Sequence, residues 1–275
     1  MNPFARGSLR GEVARALEGM VRGMEVRCTE GPGHAKALAR EAIAEGCDTV
    51  VAAGGDGTVN EVLTGLAGSQ VRLGVLPLGT MNVFAREHGV PLDWEDALAR
   101  ILRENIKCVD LGMANDRPFV QLAGVGLDAR VIQGVRRESK RIWGAGAYVA
   151  SAVRELGREQ PVFSVHIEGV GVRTARWMLV GMGRHYGGAF PVFARAAHAD
   201  GLLDVVLVRE LGVGFSLACL AGVAWGGHLK LRGVEYFQTR HVRVETEQAW
   251  EVDGEFGGVG AVEFGIRPGA LRVLV

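Results

Sequence analysis

The first part of the chain alternates short apolar runs with amphipathic segments, and this alternation limits the fold more than any other feature. The runs D-T-V-V-A-A at 48–53 and V-R-L-G-V-L at 71–76 have the length and composition of buried strands. Apolar residues recur at helical spacing in 34–45, 58–67 and 94–104. Strands that alternate with helices predict parallel βαβ units, in which helices cover both faces of the sheet.

The rest of this part is predicted to hold a helix over 12–21, a strand over 24–29 and a short helix over 81–88, and Asp93 is expected to cap the helix at 94–104. From about residue 106 the pattern changes to short strand-like runs, separated in many places by turn signals such as N-D-R, E-G-V-G and R-P-G. These runs are 106–112, 118–124, 162–168, 172–182, 203–208, 241–246, 249–253, 260–265 and 271–275, with helical segments at 139–157 and 211–229. An antiparallel, β-rich domain is therefore predicted to follow the α/β part.

Composition limits the function classes. Acidic and basic residues balance at 31 each over 275 residues, so no net charge points to nucleic acid as a partner. The four cysteines are widely spaced and form no C-x-x-C, which argues against a zinc site or disulfide framework and favours the cytoplasm. The N-terminus lacks the apolar core of a signal peptide. The uncharged run 211–227 favours a buried or interfacial helix over a membrane span.

The junction V-V-A-A-G-G-D-G-T-V-N-E at 50–61 joins a predicted strand directly to a predicted helix. Thr58 and Glu61 match a T-x-x-E capping box, which predicts that the helix begins just after G-G-D-G. The free N–H groups and the positive end of the helix dipole then lie at a glycine turn, where a phosphate is favoured. This end of a parallel strand is also where open α/β sheets bind ligands.

Asp56 lies among these glycines, and two interpretations of it stay open. A carboxylate beside a phosphate fits if the magnesium ion of Mg-ATP lies between the two negative groups. Alternatively, Asp56 only caps the backbone of its own turn. The chain has neither G-x-x-x-x-G-K-[ST] nor G-x-G-x-x-G after a strand, which disfavours a P-loop enzyme and an ordinary dinucleotide-binding dehydrogenase.

A second strand-to-helix junction follows in L-P-L-G-T-M-N-V-F-A-R at 76–86. Here Gly79 and Thr80 are placed to present backbone and hydroxyl donors beside the first loop, although an ordinary βα turn would look the same. Two such turns in adjacent βα units indicate a nucleotide-binding cleft.

The motif G-G-D-G-T-V-N-E-V at 54–62, followed by the motif at 76–86, closely resembles the catalytic domain of the diacylglycerol kinase family. Bacterial lipid kinases are the nearest relatives by this resemblance, and sphingosine and ceramide kinases are more distant. NAD kinases share G-G-D-G-T, so the pair of motifs is more specific than the first alone. Further matches are N-P at 2–3, T-E-G-P-G-H-A at 29–35, R-I-W-G-A-G-A-Y at 141–148, Y-G-G-A-F at 186–190, A-D-G-L-L-D-V-V-L-V at 199–208 and W-E-V-D-G-E at 250–255.

The resemblance implies a fold and an activity. The fold is an N-terminal Rossmann-like, parallel-sheet ATP-binding domain over 1–106 and a C-terminal β-sandwich-like, antiparallel domain over 107–275 that takes the lipid, with the active site in the cleft between them. The activity is that of an ATP-dependent lipid kinase, which transfers the γ-phosphoryl group to a lipid hydroxyl such as that of diacylglycerol and uses Mg2+.

The resemblance also implies site residues. The catalytic residues would be Glu255, as general base, and Asp56. Asp200 would supply the side-chain ligand of a second, structural magnesium, and the backbone carbonyls of Ala197 and Leu202 would complete that site. The nucleotide site would comprise Asn2, Pro3, Thr29, Gly54, Gly55, Asp56, Gly57, Thr58, Val59, Asn60, Gly79 and Thr80.

The local sequence is compatible with these roles without requiring them. Glu255 lies in a D-G-E turn between two strand-like runs, where a carboxylate can accept a hydroxyl proton or simply face solvent. For Asp128 in G-V-G-L-D, a helix N-cap is favoured over a place in the magnesium network. Two features depart from the family pattern: the apolar strand expected before Asn-Pro is missing, as from a truncated or wrongly assigned start, and Phe193-Ala194 replaces an Ala-Pro.

The lipid acceptor would have to come from a membrane surface, so peripheral membrane contact is expected. Candidate segments are R-R-E-S-K-R at 136–141, next to Ile142 and Trp143, and the run 211–227, although a solvated helix face and a core helix are slightly favoured for them. Two other functions stay open: a kinase of a soluble substrate, as in NAD kinases, and a non-catalytic nucleotide-binding regulatory module.

Overall fold

The computed structural model describes residues 24–134, 155, 160–185, 190–210, 212–223 and 227–275. The predicted helix over 12–21, the candidate residues Asn2 and Pro3, and the basic run 136–141 with Ile142 and Trp143 lie outside these residues, as does all of 139–157 except Glu155. The chain divides into two compact units. One runs to Leu111 and also includes Pro268–Val275, and the other is Gly112–Arg267.

The first unit is an α/β unit with a parallel sheet, as predicted. Strands β1 and β2 pair in parallel from Thr49 opposite Arg72 to Gly54 opposite Pro77, and the end of β14 pairs in parallel with β2. The elements are α1 His34–Ala44, β1 Thr49–Gly54, α2 Asp56–Leu66, β2 Arg72–Pro77, α3 Val83–Glu87 and α4 Trp94–Ile101, with the first part of β3 Ile106–Ala114 and the last part of β14 Val262–Leu274.

Amphipathic spacing explains the packing of this unit. Helix α2 buries Leu63 and Leu66 completely, and β2 buries Leu73 and Leu76 in the same way. Helices α1 and α2 cross closely at Gly65, where an added Cβ would lie 2.7 Å from the Ala39 Cβ. Each fully buried leucine side chain contributes roughly 2 kcal/mol relative to an exposed one, so the periodic apolar residues dominate the stability of this layer.

Asp93 caps α4 as predicted, since its Oδ1 accepts the N–H groups of Glu95 at 2.9 Å and Asp96 at 3.2 Å. The predicted strand over 24–29 is wrong, because residues 24–30 form no strand. Met24, Val26 and Cys28 alternate with polar residues as in a strand, but no described strand pairs with this segment. Arg27 pairs with Glu25 and with Glu45, each at 2.7 Å, and Thr29 is the buried residue of the segment.

The second unit is an antiparallel β-sandwich-like unit, which confirms the predicted fold class. One sheet has the strand order β10-β9-β8-β5-β12-β13, and β6 and β7 continue from β11 and the start of β14 in the other. A common core holds Val125, Met178 and Val205 of the first sheet against Val165 and Phe264 of the second. The strands are β4 Arg117–Phe119, β5 Leu122–Gly126, β6 Phe163–Ile167, β7 Gly171–Ala175, β8 Trp177–Gly181, β9 Leu203–Val208, β10 Val234–Thr239, β11 His241–Glu245, β12 Ala249–Val252 and β13 Glu255–Val259.

Two of the predicted strands are each split into two strands in the structure. The 118–124 run breaks between β4 and β5, and the 172–182 run breaks at Arg176, where the chain passes from β7 of one sheet to β8 of the other. The Arg176 N–H bonds to the Val208 carbonyl at 2.9 Å, which fixes this change of sheet.

Three further strand predictions were wrong. R-P-G does not separate two strands, because β14 runs through it with Gly269 in the left-handed region at φ +60° and the Gly269 N–H bonded to Asp110 Oδ1 at 2.7 Å. Strands β10 and β13 were missed. Strand β13 resembles a turn because it contains glycines, but a Cβ on Gly257 would lie 2.1 Å from the Trp250 ring, so the neighbouring indole requires glycine there.

The described helices of the second unit are α5 Leu127–Gly134 and α6 Val213–Val223, with a 3₁₀ turn at Gly227–Lys230. The predicted helix over 211–229 is therefore a shorter helix of 11 residues followed by that turn. Among the described residues, no helix combines the length and the apolar character that crossing a membrane requires.

Candidate active site

Two glycine loops touch at the carboxyl ends of β1 and β2. The strands are parallel neighbours, and the Leu78 N–H bonds to the Gly54 carbonyl at 2.9 Å just beyond their last paired residues. A Cβ on Gly79 would lie 2.5 Å from the Gly55 Cα, and a Cβ on Gly55 would lie 3.2 Å from the Gly79 Cα. Only glycine on both sides lets the two backbones come this close, so the loops predicted to share a site do lie side by side.

The second loop is held by a side chain that sequence reasoning missed. Asn82 is buried in the left-handed region at φ 48°, where asparagine is tolerated better than most residues. Its Oδ1 accepts the Gly79 N–H at 2.9 Å, and its Nδ2 donates to the Gly79 carbonyl at 3.0 Å. The signal available in the sequence was the asparagine of G-T-M-N, three residues after the glycine.

The predicted capping box is wrong. Helix α2 begins at Asp56 with Gly55 as its N-cap and no side-chain cap. Glu61 instead accepts the N–H groups of Gly33 at 2.8 Å and Ala35 at 3.0 Å, so it caps α1. Glu61 takes this role because the N-terminus of α1 is within its reach, and the first N–H groups of α2 are left without a side-chain acceptor at the glycine turn.

Asp56 bridges the two loops. Its Oδ1 accepts the Phe84 N–H in the first turn of α3 at 3.3 Å, and the residue is half-buried. It therefore bonds the backbone at the start of α3, the helix that follows the second loop, which neither of the two interpretations anticipated. A carboxylate between two glycine loops at a helix N-terminus fits an oxygen-preferring cation carried by a polyphosphate.

The other predicted nucleotide residues differ in exposure. Gly57 and Thr80 are exposed, and a Cβ on Gly57 would meet no atom within 4 Å. Thr58 is buried beneath the first loop, where a Cβ on Gly54 would lie 2.6 Å from its Oγ1. Val59 is buried among apolar residues, and Asn60 Oδ1 has no hydrogen-bond partner among the described residues.

Thr29 is also buried, and it lines a cavity of about 540 Å³ beside β1 together with Ala53 and Thr58. The 24–30 segment and the end of β1 both line this cavity, so Thr29 lies on the side of the sheet where the first glycine loop begins.

Glu255 is the first residue of β13 and follows the turn Asp253–Gly254. Its side chain is 68% exposed, and its Oε2 lies 2.6 Å from Arg117 Nη2. Arg117 Nη1 also donates to the Phe256 carbonyl at 2.9 Å, so the guanidinium contacts both the Glu255 side chain and the backbone of β13. Exposed pairs of this kind stabilise a protein little, so the contact mainly orients the carboxylate.

Two carboxyl groups support that turn, the half-buried Asp253 and the buried Glu251. Asp253, in the left-handed region at φ 50°, accepts the N–H groups of Val120 and Gln121 at 2.9 Å and Leu122 at 3.0 Å. Burial raises the pKa of Asp253 to about 6, while these three donors act in the opposite direction. Sequence reasoning missed this role because the partners lie more than a hundred residues upstream.

Glu251, on β12, is completely buried and accepts the Gly254 N–H at 2.8 Å. Burial, and then the nearby Asp128 carboxyl, raise the pKa of Glu251 well above its ordinary value. The predicted N-cap role of Asp128 is wrong, because Asp128 lies inside the first turn of α5 and is buried there.

The loop before β9 holds the predicted metal ligands. Asp200 is exposed, and its Oδ1 accepts the Leu202 N–H at 3.0 Å; Ala197 is exposed and Leu202 half-buried. The described residues contain no group of three or more histidine, cysteine, aspartate or glutamate residues placed to hold a metal. One carboxylate with two backbone carbonyls fits Mg2+ where water supplies the remaining ligands.

The buried Asp204 and the half-buried Tyr236 support this loop. Tyr236 OH donates to Asp204 Oδ1 and accepts the Arg195 N–H at 3.1 Å. Burial raises the pKa of Asp204 to about 6. Phe193, which stands where the family pattern has Ala, is fully buried, and a Cβ on Gly181 would lie 2.4 Å from its ring, so an aromatic anchor holds the segment before the loop.

Comparison with known proteins decides the family. Residues 1–114 match the model of the diacylglycerol kinase catalytic domain, and residues 121–275 match that of the YegS C-terminal NAD kinase beta sandwich-like domain. A Pseudomonas putida protein named "Probable lipid kinase YegS-like" is 32% identical over 91% of this chain and 84% of its own length. A Mycobacterium tuberculosis protein named "Diacylglycerol kinase" is 31% identical over 96% of this chain and 91% of its own length. The chain belongs to the diacylglycerol kinase catalytic-domain family.

Solved structures agree with the fold of this diacylglycerol kinase family member. A crystal structure of a diacylglycerol kinase from Bacillus anthracis matches 99% of this chain and 94% of its own with a TM-score of 0.75 at 24% identity. Another crystal structure from that organism gives a TM-score of 0.81 at the same identity, over 99% of this chain and 92% of its own. The family is a kinase family, so the chain is a member of a kinase family.

Proposed function

We propose that the protein transfers the γ-phosphoryl group of ATP to the hydroxyl group of a lipid such as diacylglycerol. The observation that carries the proposal is the contact between the Gly55 and Gly79 loops, with Asp56 bonded across them, in a chain of the diacylglycerol kinase family. Bare backbone next to an uncapped helix N-terminus is the arrangement that accepts a polyphosphate.

The glycine loops supply the nucleotide site in this proposal. Gly54–Asn60 cradle the phosphates, with the N–H groups at the start of α2 as donors. Gly79, whose own N–H bonds to Asn82 Oδ1, lets the loops approach and brings Thr80 beside them. Thr29, with Asn2 and Pro3, lines the rest of the nucleotide site. Magnesium bound with ATP would neutralise the phosphate charge as the phosphoryl group moves. Asp56 holds the position of an oxygen ligand for that ion, and its bond to the Phe84 N–H at 3.3 Å fixes where the carboxylate stands.

Glu255 is the proposed general base. Its exposed carboxylate accepts the proton of the acceptor hydroxyl as that oxygen bonds to phosphorus. Arg117 contacts Glu255 Oε2 at 2.6 Å and so sets the direction of the side chain. The half-buried Asp253 and the buried Glu251 bond the backbone of the turn from which Glu255 projects.

The remaining roles follow the same assignment. We propose that 1–106 is the ATP-binding domain, that 107–275 is the lipid-substrate domain, and that Asp200 with the carbonyls of Ala197 and Leu202 holds a structural magnesium. The protein would act in the cytoplasm and touch a membrane surface to collect its lipid. Phe256 and Val259 support lipid contact, since both are exposed apolar residues on β13 near Glu255.

One assay separates this function from the other two. Purified protein is incubated with γ-labelled ATP and Mg2+, in separate arms with diacylglycerol, phosphatidylglycerol, a sphingoid base or NAD, and each arm is repeated with EDTA. We expect metal-dependent label in an organic-extractable product. Label only in NADP would support a kinase of a soluble substrate, and ATP binding without transfer in any arm would support a regulatory module.

A further inference from the structure

Glu251 is a buried acidic residue that has no direct part in the proposed reaction. It lies in the middle of β12, opposite Gly124 of β5 and Phe256 of β13, and is 0% exposed. Its neighbours Trp250 and Val252 belong to the sandwich core, and α5 packs on the strand. Burial of an ionised carboxylate without a neighbouring cation is strongly unfavourable, so the site favours the protonated form.

The two oxygens of Glu251 have different surroundings. Oε2 accepts the Gly254 N–H at 2.8 Å. A Cβ added to Gly124 would lie 3.1 Å from Glu251 Oε1 and 2.6 Å from Asp128 Oδ2. Both oxygens therefore face the same point beside Gly124, and Oε1 lies on the side of Asp128. Among the described residues no N–H or O–H group donates to Glu251 Oε1. Two carboxyl groups can bond to each other only when one of them carries a proton.

Glycine at 124 is what makes room for this pair. Any larger residue opposite Glu251 would place its Cβ against both carboxyl groups. The groups that titrate near Glu251 are Asp128 of α5 and Asp253 of the turn, both acidic, and Glu255 acts in turn on Asp253. All of these oppose a second negative charge, so one proton is retained between Asp128 and Glu251.

We infer that Glu251 is a positioning residue: through a proton shared with Asp128 it stays neutral, bonds the Gly254 N–H and fixes the turn that carries Glu255. The inference rests on the proposed role of Glu255. The turn is then anchored at two successive residues. Asp253 is tied to the backbone of 120–122, and Gly254 is tied to Glu251. Without the bond from Gly254 to Glu251, the turn is free to move and Glu255 can rotate away from the lipid hydroxyl group.

Two variants separate the positioning role from simple packing. Glu251→Gln keeps the shape, an acceptor for the Gly254 N–H and a donor for Asp128, and we expect its kcat to stay within about 3-fold of wild type. Glu251→Leu fills similar volume without an acceptor, and we expect kcat to fall roughly 100-fold because a displaced base costs about that factor. The KM for ATP should not change. If Glu251→Leu has the same kcat as wild type, whether or not it loses thermal stability, the positioning role is wrong.

The pH dependence tests the shared proton. Because the folded-state pKa of Glu251 is raised, its contribution to stability is complete below the ordinary pKa of 4.5 and is lost as pH rises toward the folded value. We therefore expect Glu251→Gln to gain stability relative to wild type as pH rises above about 5. We also expect the kcat of wild type to fall at alkaline pH, and the kcat of Glu251→Gln not to show this fall. Parallel pH profiles of the two proteins would rule out the shared proton.

Hydrogen exchange provides a test that does not require kinase activity. Peptides covering 250–257 should exchange faster at Gly254 in Glu251→Leu than in wild type, with Glu251→Gln unchanged. If wild type phosphorylates none of the lipids but this difference is present, the proposed function fails and the anchoring of Gly254 stands. If wild type is active and the leucine variant shows unchanged exchange, the positioning role fails alone.

Discussion

The glycine loops of the first unit and the Asp253–Glu255 turn of the second each present a carboxylate, but they are held in opposite ways. Beside Asp56 the backbones of Gly55 and Gly79 are in contact, and a Cβ added to Gly79 would lie only 2.5 Å from the Gly55 Cα. Before Glu255 the turn is held by side chains, through three backbone N–H groups bonded to Asp253 and one bonded to Glu251.

The difference follows from what each place has to do. A phosphate cradle needs uncovered N–H groups at the helix N-terminus, so glycines occupy the point where the loops meet and the two backbones pack on each other. A general base needs a fixed direction, so its turn must be tied to its surroundings, and buried carboxyl groups are strong acceptors for that purpose. Substitutions in the two regions should therefore fail for different reasons.

The largest effect is expected at Asp56. Asp56→Asn keeps an oxygen that can accept the Phe84 N–H but removes the charge, so phosphoryl transfer should fall roughly 1000-fold while the melting temperature barely changes. Transfer of labelled phosphate and thermal unfolding measure the two quantities. An unfolded variant would show that the carboxylate is structural, and near-normal transfer would remove it from the site.

The second effect concerns the contact between the loops. Gly79→Ala puts a Cβ against the backbone of Gly55 and the Asn82 side chain, and we expect the free energy of unfolding to fall by about 3 kcal/mol. The matched control is Gly57→Ala, where an added Cβ meets nothing within 4 Å, and its stability should not fall. Denaturant unfolding compares them, and equal stabilities would disprove the close approach of the loops.

The third effect separates the observed cap from the predicted one. Glu61→Ala removes the acceptor of the Gly33 and Ala35 N–H groups and should lower the free energy of unfolding by about 2 kcal/mol. Glu61→Gln keeps one acceptor oxygen and should lose about half as much. Urea unfolding of both variants provides the test, and an unchanged midpoint for the alanine variant would show that α1 is not capped by this residue.

The smallest effect is at a cap that lies away from both regions. Asp93→Ala removes the acceptor of the Glu95 and Asp96 N–H groups and should cost about 1 kcal/mol, with kinase activity unaffected. Asp93→Ser keeps a capping oxygen and should be close to wild type. Chemical denaturation with a parallel activity assay checks both statements, and loss of activity without loss of stability would contradict them.

The sequence predicted the parts of the molecule whose physics is local. Apolar periodicity placed α1, β1, β2 and α4 within a few residues, and the glycines of 54–57 and 79 indicated adjacent loops because parallel strands end at one edge of the sheet. The Asp93 cap was predicted for the same reason, since a cap and its N–H partners are neighbours in the chain.

Interactions between distant residues were not predictable in this way. Glu61 looked like the partner of Thr58 but caps another helix, and the partners of Asp253 lie at 120–122. Strand β13 looked like a turn because its glycines make room for Trp250 of the neighbouring strand. The resemblance named Glu255, but the carboxyl pair that supports its turn forms between β12 and α5, where sequence spacing gives no signal.

The most direct test of the account is the turnover of Glu255→Gln with saturating Mg-ATP and diacylglycerol in mixed micelles, alongside Glu263→Gln as an exposed carboxylate control. If Glu255 is the general base, its variant should bind ATP as wild type does and lose roughly 1000-fold in kcat, while the control stays active. Near-normal turnover by a folded Glu255→Gln protein would contradict the proposed mechanism.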